Sequence, residues 1–190
     1  MTGIVTMKTV FAGWLKLSIA VLRGDDGTMF ERIVEQHGNG ACVLPYDPQR
    51  KTAILVRQFR APVRAVSPHT ELLEAIAGLV DENEDPQATA VREAFEEAGL
   101  KLGSLDCIGT AWTMPGISTE RMSLYLARYT LTDRVGRGGG RAAENEHIAV
   151  AELALAQLAA MADTGAIDDL KTLTLVQTLR LREPSLFVPD

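Results

Sequence analysis

The spacing of apolar residues changes several times along the chain, and each change predicts an element. Leu15, Leu17, Ile19 and Val21 alternate with other residues, the two-residue period of a half-buried strand. Extended segments at about 10–22 and 28–36 flank the turn-rich stretch Arg23-Gly24-Asp25-Asp26-Gly27 and predict a hairpin. A lone hairpin is marginal in water, so it must pack on the main body or on a second subunit. The break His37-Gly38-Asn39-Gly40 separates an N-terminal region, 1–38, from a main domain, 39–190. Within that domain Ala41–Tyr46 and Thr52–Gln58 read as buried strands joined by the turn Asp47-Pro48-Gln49-Arg50. Ala61–His69 reads as a surface loop, and Glu71–Ala77 as an extended run ending at Gly78. A helix is predicted from about Pro86 to Ala98, with Asp85 as N-cap, Pro86 at its first position and Gly99 as its stop. Strands at 105–112, 121–129 and 147–151 and helices near 152–162 and 167–182 complete the pattern, and the glycine run at 136–140 predicts a mobile loop.

A length of 190 residues suits one domain with a full core, or one domain with a small appendage. Hydrophobic residues at 46% and charged residues at 23% give the balance of an ordinary soluble protein. The net charge of −6 argues against nucleic acid as a partner, because phosphate backbones need a basic surface. It leaves room for a small phosphorylated substrate, since a bound divalent cation reverses the local field. Cys42 and Cys107 both sit in apolar runs and read as buried core thiols, which fits a reducing, cytoplasmic location. The apolar run Thr9–Leu22 is interrupted by Lys16, lacks a cleavage pattern and is too short to span a bilayer, so no membrane association is expected.

The predicted helix carries the chemistry. Val91, Ala94, Phe95 and Ala98 form an apolar face, with Glu93, Glu96 and Glu97 on the opposite one. A solvated charged face is one reading, but like charges at these spacings repel by roughly 0.2–0.5 kcal/mol per pair, and Arg92 is the only cation nearby. The other reading is a hard-oxygen site for Mg²⁺ or Mn²⁺. Residues 78–100, GLVDENEDPQATAVREAFEEAGL, match the spacing G-x5-E-x7-R-E-U-x-E-E-x-G-U, where U is a bulky aliphatic residue. Gly78, Glu84, Arg92, Glu93, Glu96, Glu97, Gly99 and Leu100 fall in register, while Ala94 is smaller than usual at the first U. Average composition gives a chance match on the order of 10⁻⁸ per start site.

On these residues the chain resembles the Nudix hydrolases. The resemblance implies an α/β fold, an α/β/α sandwich with a mixed sheet, preceded here by the small antiparallel N-terminal hairpin. It implies Mg²⁺, with Mn²⁺ as the alternative, bound by Glu93, Glu97 and the carbonyl of Ala77, with Glu96 a direct or water-mediated ligand. Arg92 would orient the carboxylates and Glu84 would support the loop. Pro115, 16 residues after Gly99, lies in MPGISTER at 114–121, which resembles a loop of the ADP-ribose pyrophosphatases. VRQFR at 56–60, LLEAIAGLVDE at 72–82, ENEHI at 144–148 and GNGACVLPYDP at 38–48 are similar to the same branch, and the GGG run with its acidic follow-on to the GDP-mannose members.

That branch implies hydrolysis of a nucleoside diphosphate sugar, GDP-mannose or ADP-ribose, to a nucleoside monophosphate and a sugar phosphate. Arg60 would contact the phosphates, Glu120 would lie near the metal and the terminal sugar, and Glu74 would line the site as an acceptor or supporting group. Glu144 aligns with the general base of the ADP-ribose enzymes, and Glu146, two residues on, is the second candidate. As sequence alone, Arg60 and Glu120 also read as exposed polar residues, and both loop glutamates as solvated charges. His37, His69 and His147 each look isolated and read as surface or structural. Relatives in this branch are homodimers, often with the N-terminal hairpin exchanged. Alternative functions are a non-catalytic nucleotide-sugar sensor, which the intact glutamate set opposes, and hydrolysis of another dinucleotide or an oxidised nucleotide, which the Pro115 region opposes.

Overall fold

A computed structural model describes residues 1–69, 71–141 and 147–188. The chain divides into two compact units, Met1–Gly40 with Thr110–Met122, and Ala41–Gly109 with Ser123–Asp190. The first unit contains strands β1 (Gly3–Ala12), β2 (Lys16–Arg23) and β3 (Met29–Gln36) in one antiparallel sheet of that order. A three-stranded sheet thus replaces the expected hairpin. The apolar run through Phe11, Trp14 and Leu15 concealed a turn at residues 13–15, which lets β1 fold back on β2. The second turn is the one expected: Gly27 donates to the Gly24 carbonyl, and Asp26 accepts from the Thr28 backbone and hydroxyl. Every residue of β1 is exposed, Ile4, Val5, Met7, Val10 and Phe11 included.

Strands β4 (Gly40–Asp47) and β5 (Thr52–Gln58) follow, with α1 (Ala61–Val66), β6 (Leu72–Glu74), β7 (Ile76–Leu79) and α2 (Pro86–Ala98). The chain then runs through β8 (Asp106–Trp112), β9 (Arg121–Arg128), β10 (Ala149–Ala154), α3 (Leu155–Thr164) and α4 (Leu170–Arg182). The seven-stranded mixed sheet has the order β10-β5-β4-β9-β8, with β6 on β5 and β7 on β4, which makes the expected α/β fold. β4 is buried at every position, the pattern of a strand covered on both faces.

The core explains how α2 is held. Ala90, Ala94 and Ala98 recur every four residues and are wholly buried against Ala41, Val43, Ile54, Val56 and Ile76. Such small side chains let the helix backbone approach the sheet closely. Leu155, Leu158, Leu175 and Leu179 of the last two helices are also fully buried, each contributing about 1.5–3 kcal/mol relative to exposure.

Three expectations are corrected. Residues 61–66 form a short helix instead of a loop; none of its side chains is buried, so no apolar period marked it. Cys107 is exposed while Cys42 is buried, because β8 turns most of its residues to solvent. Phe95 is also exposed, at 54%, so the buried face of α2 runs through its alanines. Among the described residues no helix is long and apolar enough to cross a membrane.

Candidate active site

The box motif lies on β7, the following loop and α2. Pro86 opens the helix after Asp85, whose side chain makes no capping bond, and Gly99 closes it in the left-handed conformation at φ 67°. Gly78 permits the next contact. A Cβ there would fall 1.9 Å from Oε1 of Glu93, so only glycine lets this carboxylate lie against the strand end. Arg92 ties the glutamates together. Its Nη1 donates to Glu93 Oε1 at 2.7 Å and Glu96 Oε2 at 3.3 Å, and its Nη2 to Glu84 Oε2 at 3.1 Å. Hydrogen bonds from Arg92, and then from Thr89, hold the Glu84 carboxyl below its usual range. Glu97 departs from the exposed face expected for it. It is 2% exposed, and its Oε2 accepts from the backbone N–H of Ala77 at 3.3 Å.

The end of α2 is held from outside the helix. Gly139 N–H donates to the Glu97 carbonyl at 2.8 Å and Gly140 N–H to the Glu96 carbonyl at 3.1 Å, while Val135 and Gly136 donate to Gly99. A Cβ on Gly138, at φ +66°, would lie 2.2 Å from the Glu97 carbonyl oxygen. The glycine run read as a mobile loop is therefore a strap fastened to the box helix. It is glycine-rich because two backbones meet there. The candidate bases Glu144 and Glu146 lie outside the described residues.

Arg60 and Glu74 come together in the same unit. Arg60 donates through Nε at 2.6 Å and Nη2 at 3.0 Å to the two oxygens of Glu74, a bidentate pair. Lys171 also binds Glu74 and reaches Asp169 at 2.9 Å. Burial works to raise the Glu74 pKa, but the Arg60 and Lys171 contacts outweigh it and leave the carboxyl below its ordinary range. Asp169 caps α4 by accepting from the Thr172 N–H, and Thr172 Oγ1 accepts from Ala75 N–H at 2.6 Å. Sequence reasoning missed Lys171, Asp169 and Thr172. An aspartate three residues before a threonine at a helix start was the available cap signal.

Glu120 belongs to the N-terminal unit. Its Oε2 accepts from Thr113 Oγ1 at 2.6 Å, and its Oε1 lies 3.4 Å from Nε2 of His37. His37 is thus not the isolated residue expected. His69 is exposed, with its backbone N–H on Ser67 Oγ, and His147 is exposed.

Glu93, Glu96, Glu97 and the Ala77 carbonyl offer oxygen atoms, the donor type that hard divalent cations take. The Glu93 side chain itself occupies the place a Cβ at Gly78 would take, which sets its carboxylate against the strand that carries Ala77. In the geometry described, Arg92 holds Glu93 and Glu96 while Glu97 turns to the Ala77 N–H, and among the described residues no three His, Cys, Asp or Glu side chains gather as a metal-binding group.

The NUDIX domain model matches residues 36–176. A GDP-mannose pyrophosphatase of Cronobacter sakazakii is 37% identical over 153 residues, 80% of this chain and 78% of the relative. The GDP-mannose pyrophosphatase of Citrobacter koseri is 37% identical over 158 residues, 83% of this chain and 81% of its own. The crystal structure of an ADP compounds hydrolase superposes with a TM-score of 0.77 at 16% identity, covering 98% of this chain and 97% of the other, a likeness of fold.

Proposed function

Because the chain belongs to the Nudix family, we propose that it hydrolyses the pyrophosphate bond of a nucleoside diphosphate sugar, with GDP-mannose as first candidate and ADP-ribose as second. The observation that carries this reading is the acid-rich end of α2, where Glu93 and Glu96 share Arg92 and Glu97 lies buried against Ala77. The names of the relatives support the substrate class. Members of this family generally use divalent cations; here the ion is Mg²⁺, held by Glu93, Glu97, Glu96 and the Ala77 carbonyl. When bound, it neutralises charge on the diphosphate and so eases attack of water on phosphorus. Arg92 keeps the Glu93 and Glu96 carboxylates oriented. Arg60, fixed by Glu74, offers its guanidinium to the substrate phosphates, and Glu120 is the residue assigned to binding the sugar. Glu144 deprotonates the attacking water, with Glu146 as the alternative.

A coupled phosphate-release assay tests this directly. With Mg²⁺ the purified protein should turn over GDP-mannose or ADP-ribose, and chelator should abolish the signal. Glu144→Gln should keep substrate affinity and lose rate; full kcat in that variant moves the base to another residue. Tight binding with no turnover of any diphosphate would establish a sensor instead.

The exposed apolar side chains along β1 support a homodimer closed through the N-terminal sheet. Light scattering should return twice the mass of one chain, and charged substitutions at Met7 and Phe11 should halve it.

A further inference from the structure

The N-terminal unit contains a carboxylate–imidazole–carboxylate chain of which the proposed reaction uses Glu120 alone. The end of β3 is zipped to the loop after β8. Glu35 N–H donates to the Ile117 carbonyl at 2.8 Å, and Thr119 N–H donates back to the Glu35 carbonyl at 3.0 Å. This ladder brings the Glu35 carboxylate to 2.6 Å from Nδ1 of His37, while Nε2 of the same ring faces Glu120 at 3.4 Å. Trp14 stacks on the imidazole, with ring centres 5.6 Å apart and planes 15° from parallel. The other side of Glu120 is also fixed, because Thr113 donates to Oε2 at 2.6 Å. The two carboxylates are largely shielded, Glu35 being 14% and Glu120 15% exposed at the side chain.

We propose that His37 is a positioning residue that fixes the Glu120 carboxylate for substrate, with Glu35 and Trp14 orienting the imidazole. This rests on the reading of Glu120 as a substrate-binding group. As imidazolium the ring donates from both nitrogens, and Glu120 keeps two donors, Thr113 and His37. On loss of one proton the short Glu35 contact retains the N–H at Nδ1. The lone pair of Nε2 then faces a carboxylate, and the hold on Glu120 turns into repulsion. The charged groups acting on the ring are Glu35 and Glu120. Burial works against the charged ring, but the hydrogen bond and charge of Glu35, followed by those of Glu120, raise the His37 pKa. The imidazolium is therefore favoured beyond the ordinary histidine range, and the hold on Glu120 is lost as pH rises through the folded-state value.

The test uses the full chain with Mg²⁺ and GDP-mannose. Loss of a charge-assisted hydrogen bond in His37→Ala should raise KM by about tenfold, with kcat changed far less. His37→Gln, which restores a neutral N–H donor, should recover most of the loss and abolish the alkaline rise in KM. In a Glu120→Gln background His37→Ala should add nothing, since the partner it positions has lost its charge. An undiminished effect in that background, or a fall in kcat at constant KM, overturns the proposal. Proton NMR of the imidazole supplies a readout independent of turnover. The His37 titration midpoint should fall in Glu120→Gln, and an unchanged midpoint overturns the coupling. A shifted midpoint in a protein inert toward every diphosphate sugar would refute the proposed reaction while leaving the His37–Glu120 pair standing.

Discussion

Two acid clusters in the larger unit use the same residue types to opposite ends. At Glu74 the fold supplies its own counter-charges: Arg60 and Lys171 both bind it, and Lys171 also serves Asp169. Two acids meet two bases. At the end of α2, Glu84, Glu93 and Glu96 share the single guanidinium of Arg92, Glu96 reaches Arg141 only at 4.0 Å, and Glu97 leans on a backbone N–H. Acid there exceeds base. The difference teaches how to tell a carboxylate that braces the fold from one suited to an added cation: both are partnered, but among the described residues the second group sets four carboxylates against Arg92, Arg141 and the more distant charge of Arg60 on Glu97.

The sharpest way to break the comparison is to change the buried member of the acid-rich group. Glu97→Gln should lower kcat by about 10²–10³-fold. It should also abolish cation binding in isothermal titration, while urea melts show the fold intact or more stable. Lys171→Met tests the balanced group. Depriving a buried carboxylate of one partner should destabilise the protein by up to about 3 kcal/mol in urea denaturation, a large stability effect. Gly138→Ala addresses what holds the acid-rich end in place. Its positive φ and the Glu97 carbonyl leave no room for a methyl group, so a loss of about 1–3 kcal/mol is expected with a fall in kcat. The smallest effect should appear at acid pH. The Glu74 carboxyl is held below its ordinary value, so its contribution is fully present above the unfolded pKa of about 4.3. That contribution is lost as pH falls through the folded value. Stability of Glu74→Gln, followed by circular dichroism, should show a shallower acid limb than the parent.

What could be read from the sequence followed one rule: short-range patterns were legible and long-range meetings were not. The span of α2, 86–98, was given by Pro86, the glutamate spacing and Gly99. The helix at 61–66 escaped because it buries nothing, and the third N-terminal strand because its turn sits inside an apolar run. Arg60 and Glu74 were singled out separately, yet Lys171, 97 residues beyond Glu74, joins them only through the placement of α4. His37 is an exception to the rule in one half only: Glu120 arrives from another part of the chain, but its nearer partner Glu35 stands two residues away and carried no recognised pattern. The glycines at 136 and 138–140 signalled backbone freedom, but composition does not distinguish a hinge from a close approach. Here two backbones touch.

Helices ordinarily unwind from their ends, because the last carbonyls have no partner within the helix. Glu96 and Glu97 occupy that vulnerable turn, yet their carbonyls accept from Gly140 and Gly139. Amide protons around residues 96–100 should therefore exchange with deuterium about as slowly as those in mid-helix. A glutamate pair at a chain segment's loosest point gains the steadiness of its middle, borrowed from the backbone of two adjacent glycines, Gly139 and Gly140.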